Sequence, residues 1–362
     1  MTKTESITIP AHHTIYNNFN NRDLRIDFAI PSVGTNEQTG IFIFVPGFGG
    51  HIDSNVYKKM REQFAEKYNM VTVQCDYFGS KFMQKADKIN FENGIDSVAH
   101  LLNAEELGNI RLNPDQLLPI LSTKKTTIHV KAKLDESLDE FADMSFMQAI
   151  DLITSLEAIQ IILRENGLLF DENNIVGFGQ SQGAYLLHLS NFLAPHLFSK
   201  IIDNAAWVKP EYLFNNRLMY NSVGNCTLAV EFDYIGKKIM RNPEALSLHN
   251  LYKDFNNGAY IYSCIGTTDN LVNVEDKRKS LKNLSYIDFE IIDQKKVDGT
   301  IFKSTNHGLD ADYLKLVEYV MLRKGSHINR ISKLEKYTVS SNGIIIQVDY
   351  SKGLPIFTFD SL

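Results

Sequence analysis

The amino-acid sequence predicts an α/β protein in which a mostly parallel sheet carries helices on both faces. Short runs of apolar, β-branched and aromatic residues recur along the chain, and such runs are typical of strands buried on both faces of a sheet. Segments with apolar residues at helical spacing lie between these runs. Because strands and helices alternate, we expect crossover helices to join parallel strands.

The predicted elements follow one another from residue 25 to residue 322. Residues 41–45 illustrate the strands, because Ile-Phe-Ile-Phe-Val has no polar position. One helix is predicted to begin after Ser145 as its N-cap and to stop at Gly167. The other predicted helices are 55–68, 182–193, 274–284 and 310–322, and the predicted strands are 25–30, 41–45, 70–76, 174–179, 201–204, 259–266 and 286–293.

Two long stretches interrupt the alternation of strands and helices. Residues 78–143 are too long for a simple connection and contain a helical piece near residues 95–107. Residues 208–258 are rich in Tyr, Phe and Asn and have weak periodicity. Because connections of this length usually serve as lids, both stretches are predicted as insertions over one edge, the second as a cap or lid.

The C-terminal part carries a hairpin signal. Residues 336–359 alternate around Asn342-Gly343, a dipeptide suited to a type I′ turn. We expect this extension to add strands to the sheet edge or to cover it. With these additions, residues 1–362 are predicted to form a single α/β domain.

Composition excludes several classes of protein. The chain has 362 residues, with 37 Lys and Arg against 43 Asp and Glu, so its net charge of −6 disfavours a nucleic-acid partner. Its three cysteines lack CxxC spacing, which disfavours both a disulfide framework and structural zinc. Residues 1–14 lack the apolar core of a signal peptide, and no apolar run reaches the length of about 18 residues that a membrane helix needs. We therefore expect a cytoplasmic protein without a membrane span.

No cofactor or metal ion is predicted. The glycines near residues 47 and 177 do not complete a dinucleotide-binding fingerprint, and no P-loop motif occurs. His12-His13 lies in a polar segment without a carboxylate or thiol at ligand spacing, so a chance pair is favoured over a metal site.

The strongest functional signal is a G-x-S-x-G motif centred on Ser181. It follows the predicted strand 174–179 and precedes the predicted helix 182–193, as a nucleophile elbow requires. In such a turn the residues two positions before and after the serine must be small, and here they are Gly179 and Gly183. We predict Ser181 as a nucleophile; the alternative is a plain turn.

A nucleophilic serine needs a base and an orienting acid, which in this fold class follow in the order acid, then histidine. His307 lies in a loop between the last predicted strand and the last helix, from which its imidazole can return to the elbow. We predict His307 as the base, against the alternative of a histidine on a surface loop. The other histidines beyond the predicted helix 182–193 are His196, His249 and His327.

Two aspartates compete for the role of the acid. Asp269 follows the buried strand 259–266, so its carboxylate should emerge at the same sheet edge as Ser181. Asp203 ends the preceding strand and also leaves the sheet at that edge. We favour Asp269 and keep Asp203 as its rival.

Backbone N–H groups and an aromatic segment complete the predicted site. The oxyanion donors are predicted to be the N–H of Gln182 and the N–H of Phe48 in the loop 46–50, unless that loop is only a glycine-rich turn. Arg217 and Tyr212 are predicted to bind substrate and to line an acidic-sugar site together with neighbouring aromatic residues, against the alternative of lid packing. These neighbours are Phe214 and Tyr220.

With these motifs the sequence resembles the α/β-hydrolase superfamily over about residues 27–322, with Ser181, Asp269 and His307 at its motif positions. Pro46 departs from the pattern, because many members have histidine there; the donor is a backbone group, so we expect the oxyanion hole to remain. A narrower resemblance runs from residue 177 to residue 204. It is to an uncharacterised bacterial family often encoded among flagellar or capsular glycan-modification genes, and it implies a sugar-linked acyl group as substrate.

The residues and the resemblance together predict a serine hydrolase. It would cleave a small acyl ester or acyl-sugar through Ser181, His307, Asp269 and an acyl-enzyme. The alternatives are an O-acyltransferase to a glycan hydroxyl, a serine peptidase, and a glycan-binding protein without turnover. The sequence leaves the oligomeric state open.

Overall fold

A computed structural model describes residues 2–84, 86, 88–323 and 330–360. The strands within these ranges are β1 (Lys3–Pro10), β2 (Asp23–Ile30), β3 (Gly40–Val45), β4 (Met70–Cys75), β5 (Ile89–Asn90), β6 (Thr127–Ala132), β7 (Ile175–Gln180), β8 (Lys200–Asn204), β9 (Arg217–Val223), β10 (Cys226–Phe232), β11 (Tyr260–Gly266), β12 (Ile287–Ile292), β13 (Lys336–Ser341), β14 (Ile344–Asp349) and β15 (Ile356–Asp360). The α-helices are α1 (Asn55–Tyr68), α2 (Ala104–Leu112), α3 (Leu117–Leu121), α4 (Phe146–Glu165), α5 (Gln182–Leu193), α6 (Gly236–Ile239), α7 (Leu248–Leu251), α8 (Val274–Leu281) and α9 (Tyr313–Met321).

An eight-stranded sheet with the order β1-β2-β4-β3-β7-β8-β11-β12 forms the centre of the fold. β1 and β2 pair antiparallel with their neighbours, and the other strands are parallel. The predicted fold class, a mostly parallel sheet with helices on both faces, is confirmed. β1 was not predicted from the sequence, because its side chains are half-buried or exposed at the sheet edge and give no apolar run.

The two faces of the sheet carry separate apolar cores. Along β3, Ile41 and Ile43 point to the face covered by α4, α5 and α8, whereas Phe42 and Phe44 point to the face covered by α1 and α9. Phe44 stacks on Phe64 of α1 with ring centroids 5.0 Å apart. This alternation explains why the strand is apolar at every position.

The helix α4 is buried in the fold and begins where the sequence predicts. Its 20 residues are long and apolar enough to cross a membrane, although polar side chains interrupt the run in the sequence; 89% of the apolar window is buried inside the fold, against α5 and the sheet. The predicted N-cap position is confirmed, because the helix begins at Phe146 directly after Ser145. Ser145 makes no capping bond with its side chain, and the Asp143 carboxylate instead accepts the N–H of Met147 at 2.8 Å.

The two predicted insertions contribute to one four-stranded sheet with the order β5-β6-β10-β9. β6 from residues 78–143 pairs in parallel with β10 from residues 208–258, and β9 and β10 form a hairpin. The helix expected near residues 95–107 is replaced by two short 3₁₀ turns, and α2 begins only at Ala104. The reason is a capping box between Asn103 and Glu106, which starts the helix there.

The C-terminal extension contains the predicted hairpin, and Asn342 and Gly343 both have positive φ as a type I′ turn requires. The alternative in which it adds strands to the main sheet is wrong. Within the described residues, β13, β14 and β15 form a sheet of their own, which contacts α4 through Phe359 and the end of α5 through Tyr337. The Tyr337 hydroxyl donates to the carbonyl of Leu193 at the end of α5, at 2.8 Å.

The histidine pair near the N-terminus joins the two ends of the chain. The His12 Nδ1 bonds to the carbonyl of His13 at 2.6 Å, and its Nε2 accepts the N–H of Phe357 in β15 at 2.9 Å. Burial lowers the pKa of His12 to about 4. The imidazole is therefore neutral in the folded protein at neutral pH.

We expect this histidine to make folding sensitive to acid. Its folded pKa lies below the ordinary value of 6.5, so the unfolded chain binds the proton more readily and stability falls between pH 6.5 and about pH 4. The shift corresponds to about 3 kcal/mol of unfolding free energy. Urea unfolding at pH 7 and pH 4.5 should show a smaller loss in His12→Gln than in the native protein; equal losses would contradict the assignment.

Candidate active site

A strained turn between β7 and α5 presents Ser181. The residue has φ +54° and ψ −121°. This backbone conformation is rare for residues other than glycine and costs about 1–3 kcal/mol. Its N–H donates to the carbonyl of Asn204 in the neighbouring strand at 2.9 Å. Strain of this kind persists only where the surrounding structure holds it, and it clusters at active sites.

The two flanking glycines allow this turn because no Cβ would fit. A Cβ at Gly179 would lie 2.5 Å from the Cα of Ala184. A Cβ at Gly183 would lie 2.2 Å from the carbonyl oxygen of Val45, where α5 begins against the end of β3. The spacing that predicted an elbow therefore has a steric cause in this fold.

The structure brings three of the predicted residues into one hydrogen-bonded chain. The His307 Nε2 lies 2.7 Å from the Ser181 Oγ, and its Nδ1 lies 2.8 Å from the Asp269 carboxylate. With Nδ1–H donating to the carboxylate, the lone pair of Nε2 faces the serine hydroxyl. Backbone N–H groups of Leu271 and Val272, both at 2.9 Å, hold the other carboxylate oxygen.

The electrostatics keep Asp269 ionised. Burial by itself raises the pKa of this carboxyl group, but the hydrogen bond and the charge of His307 and the two backbone N–H donors outweigh it. The pKa of Asp269 is therefore below its usual value. A carboxylate in this state can orient the imidazole and stabilise an imidazolium.

Asp203, the rival acid, lies in a different environment. Its carboxylate is fully buried and receives the Nζ of Lys277 at 2.9 Å, the Ser263 hydroxyl at 2.7 Å and the ring of His188 at 3.0 Å. Burial alone raises the pKa of Asp203, but Lys277 and His188 lower it well below the usual range. The structure does not bring this residue to His307.

The other downstream histidines lie away from Ser181 or outside the described residues. His196 lies 3.6 Å from the carboxylate of Glu157 on α4, and His249 lies on α7. His327 lies outside the described residues. Among the described histidines downstream of the elbow, His307 alone bonds to Ser181.

The loop 46–50 faces the nucleophile, as the oxyanion prediction requires. A Cβ at Gly47 would lie 3.6 Å from the Cβ of Ser181. Within the described residues, neither the N–H of Phe48 nor the N–H of Gln182 donates a hydrogen bond to another protein group. The two N–H groups are therefore without a protein acceptor in this part of the chain.

Two of the four predicted substrate residues lie beside this loop. The Arg217 guanidinium lies 4.7 Å from the ring centroid of Phe48, and its Nη1 donates to the carbonyl of Met83 at 3.1 Å. Tyr212 packs edge-on against Phe48 with ring centroids 5.0 Å apart. The remaining two are Phe214, which lies under Lys209, and Tyr220, which is 65% exposed on the edge strand β9.

A cavity of about 610 Å³ lies on the side of the acid loop. Trp207 and Tyr212 form one wall, and Leu271 and Val272, which follow Asp269, form the other. Trp207 also stacks on Phe48 with ring centroids 5.7 Å apart, so the cavity adjoins the oxyanion loop. Ser181, Asp269 and His307 do not line this cavity.

No metal site is found in the part of the chain that the structure describes, since no group of three or more His, Cys, Asp or Glu side chains can hold an ion there. The three cysteines are buried and free.

The sequence analysis did not identify Asn204, whose carbonyl bonds to the N–H of Ser181, or Lys277, which bonds to the Asp203 carboxylate. A polar residue at the end of a buried strand was the signal for Asn204.

Solved structures with similar folds are α/β-hydrolases. An acylaminoacyl peptidase complexed with Z-Gly-Gly-Phe-chloromethyl ketone has a TM-score of 0.50 and 14% identity, and the match covers 92% of this chain and 43% of that chain. Est1E from Butyrivibrio proteoclasticus, with ferulic acid bound, has a TM-score of 0.43 and 12% identity, covering 82% and 92%. Thermogutta terrifontis esterase 2 has a TM-score of 0.43 and 15% identity, covering 86% and 91%. At these identities the likeness shows the α/β-hydrolase fold alone.

No curated protein matches the chain. A family model matches residues 9–232, which include Ser181 and Arg217 but neither Asp269 nor His307. The association with glycan-modification genes stays a prediction. Since the match spans more than half of the 362 residues, the chain belongs to the family described as "Protein of unknown function (DUF2920)".

Proposed function

We propose that this protein is a serine hydrolase that cleaves small acyl esters with Ser181, His307 and Asp269. One observation carries the proposal: the hydrogen-bonded chain from the Ser181 Oγ through the imidazole to the Asp269 carboxylate, at 2.7 and 2.8 Å. These distances lie within the reach that a base and a nucleophile need. The strained elbow and the free N–H groups of Phe48 and Gln182 support the same function.

In the proposed reaction the Ser181 Oγ attacks the ester carbonyl while the His307 Nε2 takes the hydroxyl proton. The N–H groups of Phe48 and Gln182 stabilise the oxyanion, and the Asp269 carboxylate stabilises the imidazolium. The imidazolium then protonates the alcohol oxygen, the alcohol departs, and the acyl group remains bound to Ser181 as an acyl-enzyme. Water, activated by the same imidazole, releases the acid and restores the serine.

We propose Arg217 and Tyr212 as substrate residues next to the oxyanion loop. The Arg217 guanidinium packs on Phe48 and, within the described residues, has no carboxylate partner. A guanidinium group in this state can form two parallel hydrogen bonds to a carboxylate on the substrate. An acylated acidic sugar, one of the substrates that the sequence analysis considers, would present such a group.

Covalent labelling tests the proposed function. A fluorophosphonate should label the native protein at Ser181, and a panel of esters should identify substrates by release of the acid. The panel should pair each neutral ester with one that carries a carboxylate, because Arg217 is expected to favour the second. Product analysis with added sugar alcohols separates hydrolysis from O-acyl transfer, which uses the same acyl-enzyme. A protein that only binds glycans would be neither labelled nor active.

The rate should depend on pH through one group. A histidine accepts a proton only when neutral, and histidine side chains ordinarily titrate near pH 6.5. Asp269 stays ionised there because its pKa is lowered. We therefore expect kcat/KM on a neutral ester to fall about tenfold for each pH unit on the acidic side, because the binding of one proton removes the base. A rate that stays flat from pH 8 to pH 5 would contradict a Ser–His mechanism.

A further inference from the structure

Asn204 lies at a position that connects the separate parts of the site. It ends β8, which lies between β7, leading to the elbow, and β11, leading to the acid loop. The residue is fully buried at 0% exposure. Its surroundings therefore consist of protein groups alone, and it has no direct route to substrate.

Two hydrogen bonds of Asn204 go to the two reacting segments, and its Oδ1 also accepts the Cys264 thiol at 3.7 Å. Its backbone carbonyl accepts the N–H of Ser181 at 2.9 Å. Its side-chain Nδ2 donates to the carbonyl of Gly308, the residue after His307, at 3.2 Å. One residue thus bonds to the nucleophile's own peptide and to the peptide that follows the base.

Both segments need such support because their backbones are unfavourable. Ser181 has φ +54°, and Leu309 has φ +63° in the turn after His307, whereas the φ of +75° at Gly308 is one that glycine adopts readily. Two such segments stay in fixed positions only when the surrounding structure holds them. Without the Asn204 amide, the carbonyl of Gly308 would lose this buried donor.

The neighbouring residue does not share this role. The Asp203 carboxylate bonds to Lys277, Ser263 and His188 instead. Removing the Asn204 amide therefore leaves the buried ion pair in place. The two neighbours can be tested separately.

We propose that Asn204 is a positioning residue that holds the His307 loop against the nucleophile elbow. This inference rests on the proposed function. Because Asn204 does not touch substrate, its loss should lower kcat and leave KM unchanged. Displacements of about 1 Å in active sites can cost up to about 100-fold in rate, so we expect a loss of about 10- to 100-fold.

The test compares Asn204→Ala with Asn191→Ala, a matched control. Asn191 is also fully buried, and its Nδ2 donates to the side chain of Asn257 at 3.0 Å, away from Ser181. Both variants are measured for kcat, KM, fluorophosphonate labelling rate and urea unfolding. We expect kcat and the labelling rate to fall at least tenfold in Asn204→Ala alone, with KM within twofold of the native value.

A second variant separates the hydrogen bond from packing and covers a failure of Asn204→Ala to fold. Asn204→Leu keeps the branched shape and the number of heavy side-chain atoms but has no donor, so it should lose kcat to a similar extent. Native kcat in Asn204→Leu, or equal losses in Asn204→Ala and Asn191→Ala, would overturn the inference and leave the proposed function intact. A native protein that is neither labelled nor active would overturn both.

Discussion

Replacing Ser181 with alanine should abolish ester hydrolysis and fluorophosphonate labelling while leaving the fold unchanged. The hydroxyl bonds to the His307 Nε2, so its removal deletes the nucleophile and no structural bond of the elbow backbone. In a well-studied serine protease the loss of this group costs about 10⁶-fold in kcat. We expect a loss of at least about 10⁴-fold, with background catalysis from the oxyanion donors setting the limit.

The matched control is Ser190→Ala on the same helix. Ser190 is buried, and its hydroxyl donates to the carbonyl of Leu186 at 2.8 Å, nine residues beyond the elbow. Ser190→Ala should keep native turnover and labelling. Urea unfolding of both variants should give midpoints close to the native value. Turnover retained in Ser181→Ala would show that another residue is the nucleophile.

The features that could be predicted from the sequence have local signals. The strand at residues 41–45 is apolar at every position because helices cover both faces of the sheet. The elbow was predictable because Gly179 and Gly183 stand where a Cβ would collide with the backbone of the next element. In each case the physical constraint acts within a few residues and leaves a pattern in the chain.

The features that could not be predicted depend on distant contacts. β6 pairs with β10 about 100 residues away, and neither strand is buried enough to give a continuous apolar run. The C-terminal sheet contacts α5 through Tyr337, a contact that alternation within residues 336–359 cannot reveal. Asn204 likewise acquires its contacts only when β8 lies between β7 and β11.

The choice between the two aspartates depends on such a contact as well. Asp203 lies at the end of one parallel strand and Asp269 follows the next, so both were expected at the same sheet edge. Lys277 decides their environments, because α8 carries its Nζ to within 2.9 Å of Asp203. The charge of Asp203 is therefore balanced by Lys277 inside the fold, while the charge of Asp269 faces His307.

The two aspartates should respond to the same substitution in opposite ways. Asp269→Asn should lower kcat by about 10⁴-fold, because the amide can hold the imidazole of His307 in the wrong tautomer. Its effect on unfolding should be small, since the side chain lies in a loop whose backbone bonds persist. Asp203→Asn should leave most of the activity. It should instead destabilise the fold by about 3–5 kcal/mol, because the buried Lys277 charge loses its partner.

Measuring kcat and urea unfolding for both variants separates the catalytic role from the structural one. Asp203→Asn combined with Lys277→Met is the control, since removing both charges should recover much of the stability lost by the single variant. The expected pattern is loss of rate with a native unfolding midpoint in Asp269→Asn, and the reverse in Asp203→Asn. If Asp203→Asn lost the rate and Asp269→Asn kept it, the acid would be Asp203, and His307 would have to move from the position in which it now bonds to Asp269.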